Sequence, residues 1–134
     1  MLSNNRVIFK NIGEKRRVGK LAFNWCIANL RKSKFHEGYP RFIMKSDAGS
    51  HKGYYKHSKN VICIYLGNHK DQKDLIETII HEWKHYQQNI KVMYRKYITV
   101  YRRNNSNHPY EITATKFSKK KSIICNEWIK EQII

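Results

Sequence analysis

Leu75-Ile76-Glu77-Thr78-Ile79-Ile80-His81-Glu82-Trp83-Lys84-His85-Tyr86 decides how this chain is read. Leu75, Ile76, Ile79, Ile80, Trp83 and Tyr86 fall on one wide apolar stripe of a helix with a 3.6-residue period. Thr78, His81, Glu82, His85 and Asn89 occupy the opposing face. Asp71 suits the N-cap, and Asp74 adds acidic charge to the first turn. Within the helix lies a HExxH motif. Two histidines four apart sit one turn from each other on the same face, so both imidazoles can reach one metal ion. Glu82 points to the same side and can act on a metal-bound water. The spacing therefore predicts a metal-bearing helix and a zinc-dependent hydrolase.

Catalytic zinc takes three protein ligands and keeps one position for water. A HExxHxxGxxH arrangement needs histidine at position 91, which is Lys91, and HExxHxxxxH needs it at 90, which is Ile90. Both are excluded. Glu111 is the favoured third ligand, in the first turn of a last predicted helix. Ala114, three positions on and nearly on the same face, lets that helix come close enough for a carboxylate to reach the metal. His108, at the cap of the same helix, is the alternative.

Working outward, Arg6 to Lys10 reads as a short strand, and Arg16 to Leu30 as a helix burying Val18, Leu21, Ala22, Trp25, Cys26 and Leu30. Gly38-Tyr39-Pro40 breaks the pattern, and Arg41 to Lys45 reads as a strand. Gly53-Tyr54-Tyr55 and Val61 to Leu66 are two strands joined by the polar turn His57-Ser58-Lys59-Asn60, with Gly67-Asn68 ending the second. Pro109 suits the first position of the last helix, capped by Asn107 or His108. Tyr110, Ala114, Phe117, Ile124 and Trp128 can share one face of it. The segment holding Tyr94, Tyr97 and Tyr101 fits a helix or an extended chain equally. The sum is one α+β domain over 1–134 with a mixed sheet of three to four strands. His36, His51, His57 and His69 are read as surface residues, Trp83 and Tyr86 as core, Gly53 as a turn residue, and Lys119-Lys120-Lys121 as a solvated helix face.

Several stretches carry a resemblance: Gly53-Tyr54-Tyr55, Ile62 to Tyr65, Leu75 to Gln88, and Pro109-Tyr110-Glu111-Ile112-Thr113-Ala114. Together they are similar to the gluzincin branch of zincin metallopeptidases, closest to small single-domain minigluzincins and SprT-like domains. The order of a backing helix, strands, HExxH helix and C-terminal glutamate helix matches over about residues 16 to 125. The resemblance implies a zincin-like fold and Zn2+ held by His81, His85 and Glu111, with Glu82 as general base and acid. It departs from the family at Lys84, a position usually uncharged. No residue matches the family's transition-state stabiliser. Tyr101, His108 and Tyr110 are candidates for that role, since each could donate a hydrogen bond near Glu111. Strand 61–66 or strand 53–57 could form a sheet edge beside the cleft. An extended peptide could pair there, against Tyr54, Tyr55, Ile62 and Ile64.

A length of 134 residues suits one domain, and 40% hydrophobic content is enough for a core. No apolar run approaches the roughly 20 residues of a membrane span, and no signal-peptide pattern follows Met1. The expectation is a cytoplasmic protein, or a virion-associated one if phage-encoded. Cys26, Cys63 and Cys125 form no CxxC pair, which excludes a cysteine zinc ribbon and fits reduced, buried thiols. The net charge of +17 favours polyanions, either nucleic acid or acidic protein surfaces, although AT-rich coding bias also raises the lysine count. Three readings follow. The first is a zinc peptidase acting on a peptide or protein substrate. The second is a catalytically weak zincin-like structural or interaction protein within a larger assembly, such as a phage particle. The third is a nucleic-acid-associated protease.

Overall fold

The computed structural model describes residues 7–89 and 108–133. These residues form three helices and a three-stranded mixed sheet: α1 (Ile12–Asn29), β1 (Arg41–Lys45), β2 (Gly53–Lys56), β3 (Val61–Tyr65), a short 3-10 turn (Leu66–Asn68), α2 (Gln72–Gln87) and α3 (Pro109–Gln132). No helix among them is long and apolar enough to cross a membrane.

The strand order is β1-β3-β2, with β1 parallel and β2 antiparallel to β3. The β2–β3 turn works because Asn60 adopts φ 51°. Asparagine tolerates this left-handed region better than most residues. Its amide is held in place by donating to the Gly38 and Tyr39 carbonyls and accepting from the Tyr55 hydroxyl at 2.7 Å. β3 is central, and Val61, Ile62, Cys63 and Ile64 are all buried. The expected first strand does not form. Ile8 makes only an isolated bridge to Asp71, with Phe9 N–H donating to the Lys70 carbonyl and Gln72 N–H to the Val7 carbonyl.

α1 begins four residues before its apolar period does. Asn11 caps it by accepting from Glu14 N–H at 2.9 Å, while the Glu14 carboxylate accepts from Lys10 N–H. That cap fixes a charged first turn which periodicity alone could not include. The helix buries Val18, Ala22, Trp25 and Cys26, and Phe23 stacks on Phe42 of β1.

α2 is capped as expected, with Asp71 accepting from Asp74 N–H at 2.8 Å. All six residues of its apolar stripe are fully buried. The Trp83 indole donates to the Arg31 carbonyl at 3.2 Å, and the Tyr86 hydroxyl donates to Gly38. The opposing face is partly covered: α3 packs along it, and Glu82 and His85 are also buried, while Thr78 and His81 are only partly so.

α3 runs antiparallel to α2. Glu111 near its start meets His81 and His85, and Asn126 near its end accepts from Gln72 at 2.7 Å. Its buried stripe is Tyr110, Ala114, Ser118, Ser122, Cys125 and Ile129. This corrects the expected face: Ile124 is exposed, while Phe117 and Trp128 pack only at the core margin. The mid-helix serines can be buried because each hydroxyl donates back into its own helix, Ser118 to the Thr115 carbonyl and Ser122 to the Lys119 carbonyl. Cys26, Cys63 and Cys125 are free and buried, as expected.

His69 is also corrected. It is fully buried, with Nδ1 2.7 Å from Asp74 and Nε2 3.1 Å from the Lys52 carbonyl. Lys52 itself reaches Asp74 at 2.6 Å, so the loop before β2 is tied to the first turn of α2. Burial raises the Asp74 carboxyl, but the His69 and Lys52 hydrogen bonds outweigh it and hold the group below its ordinary range. A carboxylate with a lowered folded pKa contributes stability that is present above its unfolded value. That stability is lost as pH falls through the folded value. Denaturant unfolding against pH should therefore show acid destabilisation setting in below about pH 4. Asp74→Asn should flatten that limb, and an unchanged limb would refute the assignment.

Gly53 opens β2 against the α2 wall. A Cβ there would lie 2.8 Å from the Cys63 carbonyl oxygen and 3.2 Å from Thr78 Cγ2. Backbone cannot yield as a flexible side chain can, so Gly53→Ala should cost about 1–3 kcal/mol in chemical denaturation. A change within 0.5 kcal/mol, the usual range for a surface substitution, would show that no close approach is required.

Candidate metal centre

The centre joins α2, α3 and the edge strand β2. The HExxH spacing puts His81 and His85 on the face of α2 that α3 covers. His108 caps α3 by accepting from Tyr110 N–H, and Pro109 takes its first position, so Glu111 falls in the first turn. Glu111 Oε1 lies 3.0 Å from His81 Nε2 and 2.9 Å from His85 Nε2, and the two Nε2 atoms are 3.1 Å apart. Three potential ligand atoms thus form a nearly equilateral triangle. Zinc bonds of about 2.0–2.2 Å at tetrahedral angles separate ligand atoms by about 3.3–3.6 Å, so only a slight opening of this triangle would seat an ion. His81, His85 and Glu111 form a group that could hold a metal ion.

Electrostatics tie the triad to Glu82. Burial alone would raise the Glu111 carboxyl, but hydrogen bonds and charge from His81 and His85 hold it well below the carboxylate range. Burial alone would lower His85, but the Glu111 hydrogen bond and the charges of Glu82 and Glu111 raise it. Burial raises Glu82, and only part of that rise is offset by His85, His81 and the Tyr55 backbone amide. Glu82 and His81 line a cleft of about 270 Å³ that continues past Gly53, Thr78, Thr115 and Ser118 to Lys52 and Lys119.

The other expected site residues divide. Tyr54 and Tyr55 lie on β2, an edge of the sheet beside the cleft. Ile62 and Ile64 do not share that role: they are fully buried on the central strand, whose two sides already pair with β1 and β2. His108 and Tyr110 are brought close to the centre, and both are buried. The Tyr110 ring lies 4.9 Å from the His85 ring and 4.3 Å from the His108 ring. Neither is among the residues that line the cleft. His108 is also displaced as the alternative ligand, because its Nδ1 caps α3 and Glu111 completes the triangle. Tyr101 lies outside the described residues.

Lys84 turns away from the metal group. Its ammonium sits 4.7 Å from the Phe117 ring centroid and donates to Gln87. Gln88 is a site residue that no sequence motif marks, although its place three residues after His85 makes it a helical neighbour. Its Oε1 is 2.8 Å from His85 Nδ1, and its Nε2 donates to the Tyr110 carbonyl at 3.0 Å. Comparison of the chain with family models, curated proteins and solved structures finds no match in any of the three.

Proposed function

We propose that this chain is a zinc-dependent metallopeptidase of zincin-like, gluzincin type. The observation that carries the reading is the convergence of His81 Nε2, His85 Nε2 and Glu111 Oε1 within 3.1 Å, beside the buried Glu82. Two imidazoles and one carboxylate are a known donor set of catalytic zinc. Zinc held there would supply Lewis acidity, bringing a bound water near neutral pKa and polarising a carbonyl oxygen. The chain's own groups supply the rest. Glu82 takes the proton of the attacking water and hands it to the leaving amine. Its buried setting raises its pKa above the ordinary carboxylate value, which suits a group that must both accept and release a proton. Among the described residues β2 pairs only with β3, which leaves its other edge for an extended peptide to add to beside the cleft. Purified protein should contain about one zinc per chain, and His85→Ala should lose it. Glu82→Gln should keep the zinc while cleavage of an unstructured protein falls by on the order of 10²–10⁴-fold. Cleavage by Glu82→Gln at the parent rate would refute the mechanism.

A second reading places this activity on nucleic acid. Among the described residues, Lys52, Lys73 and Lys130 are the lysines and arginines with a carboxylate within 4.0 Å. Most of the basic surface is therefore available to a polyanion, including Lys119 at the cleft and Lys116 and Lys120 beside it. Duplex DNA should bind at low salt, with affinity falling steeply and log-linearly as salt rises. Absence of binding at about 50 mM salt would remove this reading.

A further inference from the structure

The metal-ligating atoms come from two helices, and one side chain touches the setting of both. Gln88 is the C-cap of α2 and is 8% exposed. Its orientation follows from its partners. The Tyr110 carbonyl can only accept, so the Gln88 amide nitrogen must face it, at 3.0 Å. Oε1 is then turned to His85 Nδ1 at 2.8 Å. An amide oxygen cannot donate, so the proton of that contact sits on Nδ1. The unfixed ring nitrogen, Nε2, is the one facing His81 and Glu111. The other contact acts on α3, because Tyr110 immediately precedes Glu111 and its carbonyl belongs to the peptide bond leading into that residue.

We infer that Gln88 is the positioning residue of this centre: one amide fixes the His85 tautomer that leaves Nε2 for a metal and anchors the turn that presents Glu111. The role rests on the metal site proposed above. Partners of this kind to a ligating histidine set ring orientation and ligand basicity, and their loss typically costs 10–100-fold in metal affinity. The neighbouring Gln87 is a built-in control. It has the same side chain, but donates to the Arg31 carbonyl and touches no ligand.

The test is zinc affinity, measured by competition with a chromophoric chelator, for the parent, Gln88→Leu, Gln88→Glu and Gln87→Leu. Unfolding midpoints of the metal-free proteins are measured alongside. Gln88→Leu should bind zinc about 10–100-fold more weakly, while Gln88→Glu, which keeps an acceptor for Nδ1–H but loses the donor to the Tyr110 carbonyl, recovers part of that loss. Gln87→Leu should match the parent. In nitrogen-15 NMR of the zinc-loaded parent, His85 should show a slowly exchanging Nδ1–H that Gln88→Leu loses. Gln88→Leu binding at the parent affinity overturns the role and leaves the metal site standing. Absence of a slowly exchanging His85 Nδ1–H in the zinc-loaded parent overturns the tautomer assignment. If Gln88→Leu does not fold, Gln88→Glu decides through the nitrogen-15 spectrum of its zinc-loaded form: a slowly exchanging His85 Nδ1–H supports the role and its loss overturns it. A parent that binds no zinc overturns the metal site itself and the role with it.

Discussion

Everything at the candidate centre depends on how closely α3 lies on the polar face of α2. Helix separations follow the side chains at the contact. Here α3 presents Ala114, Ser118 and Ser122 where a longer residue would hold the helices apart. Its serines avoid unsatisfied burial by bonding back to their own helix. Antiparallel docking then fixes two remote points, Gln72 with Asn126 at one end and the histidines with Glu111 at the other. Between such anchors a change of side-chain volume at Ala114 would move Glu111 by an appreciable part of a metal–ligand bond.

The second constraint is the wall facing that helix pair. β2 fits closely between β3 and α2 because Gly53 lacks a Cβ that would strike the Cys63 carbonyl of β3 and crowd Thr78 of α2. The loop before it is tied down by Lys52 and His69 on Asp74, in the first turn of α2. One helix thus organises three neighbours. Its N-terminal turn holds the β2 loop, its apolar stripe holds α1 and the sheet, and its polar stripe receives α3. Lys84 fits the same logic, because its position directs the ammonium along Phe117 rather than into the cleft.

How much of this could be read from sequence depends on whether a residue's role is periodic or relational. The α2 stripe and the three strands are legible, because α2 burial follows the 3.6-residue period and the strands are short, mostly apolar or aromatic runs bounded by turn residues. Glu111 was legible because HExxH restricts where a third donor can lie and Ala114 marks a close contact. The α3 face was misread because it was sought among large apolar residues, and Ile124 was counted where Ser118 and Ser122 do the packing. His69 looked like a loop residue because nothing local announces a partner in Asp74 and a carbonyl before β2. Ile62 and Ile64 could not be excluded from an edge until the strand order placed β3 in the middle. Gln88 was passed over because its value lies in a carbonyl on another helix.

The charge at the centre bears on what the proposed site is for. Two carboxylates and two imidazoles are gathered where α2 and α3 pack, and burial pushes Glu82 up despite both histidines. Replacing such a buried polar group with well-packed apolar residues is often neutral or stabilising. A chain selected only to hold α2 on α3 therefore has no use for four ionisable groups there. A divalent cation changes that balance. Its two positive charges match Glu82 and Glu111 together, and both imidazoles can stay neutral while giving Nε2 to the ion. With a cation bound, the desolvation that penalises Glu82 in the protein alone would instead keep its carboxylate poorly solvated and basic, as the proposed role requires. On this argument the arrangement is costly as a structural core and coherent as a metal centre, which is why the proposal rests on the triad and Glu82 taken together.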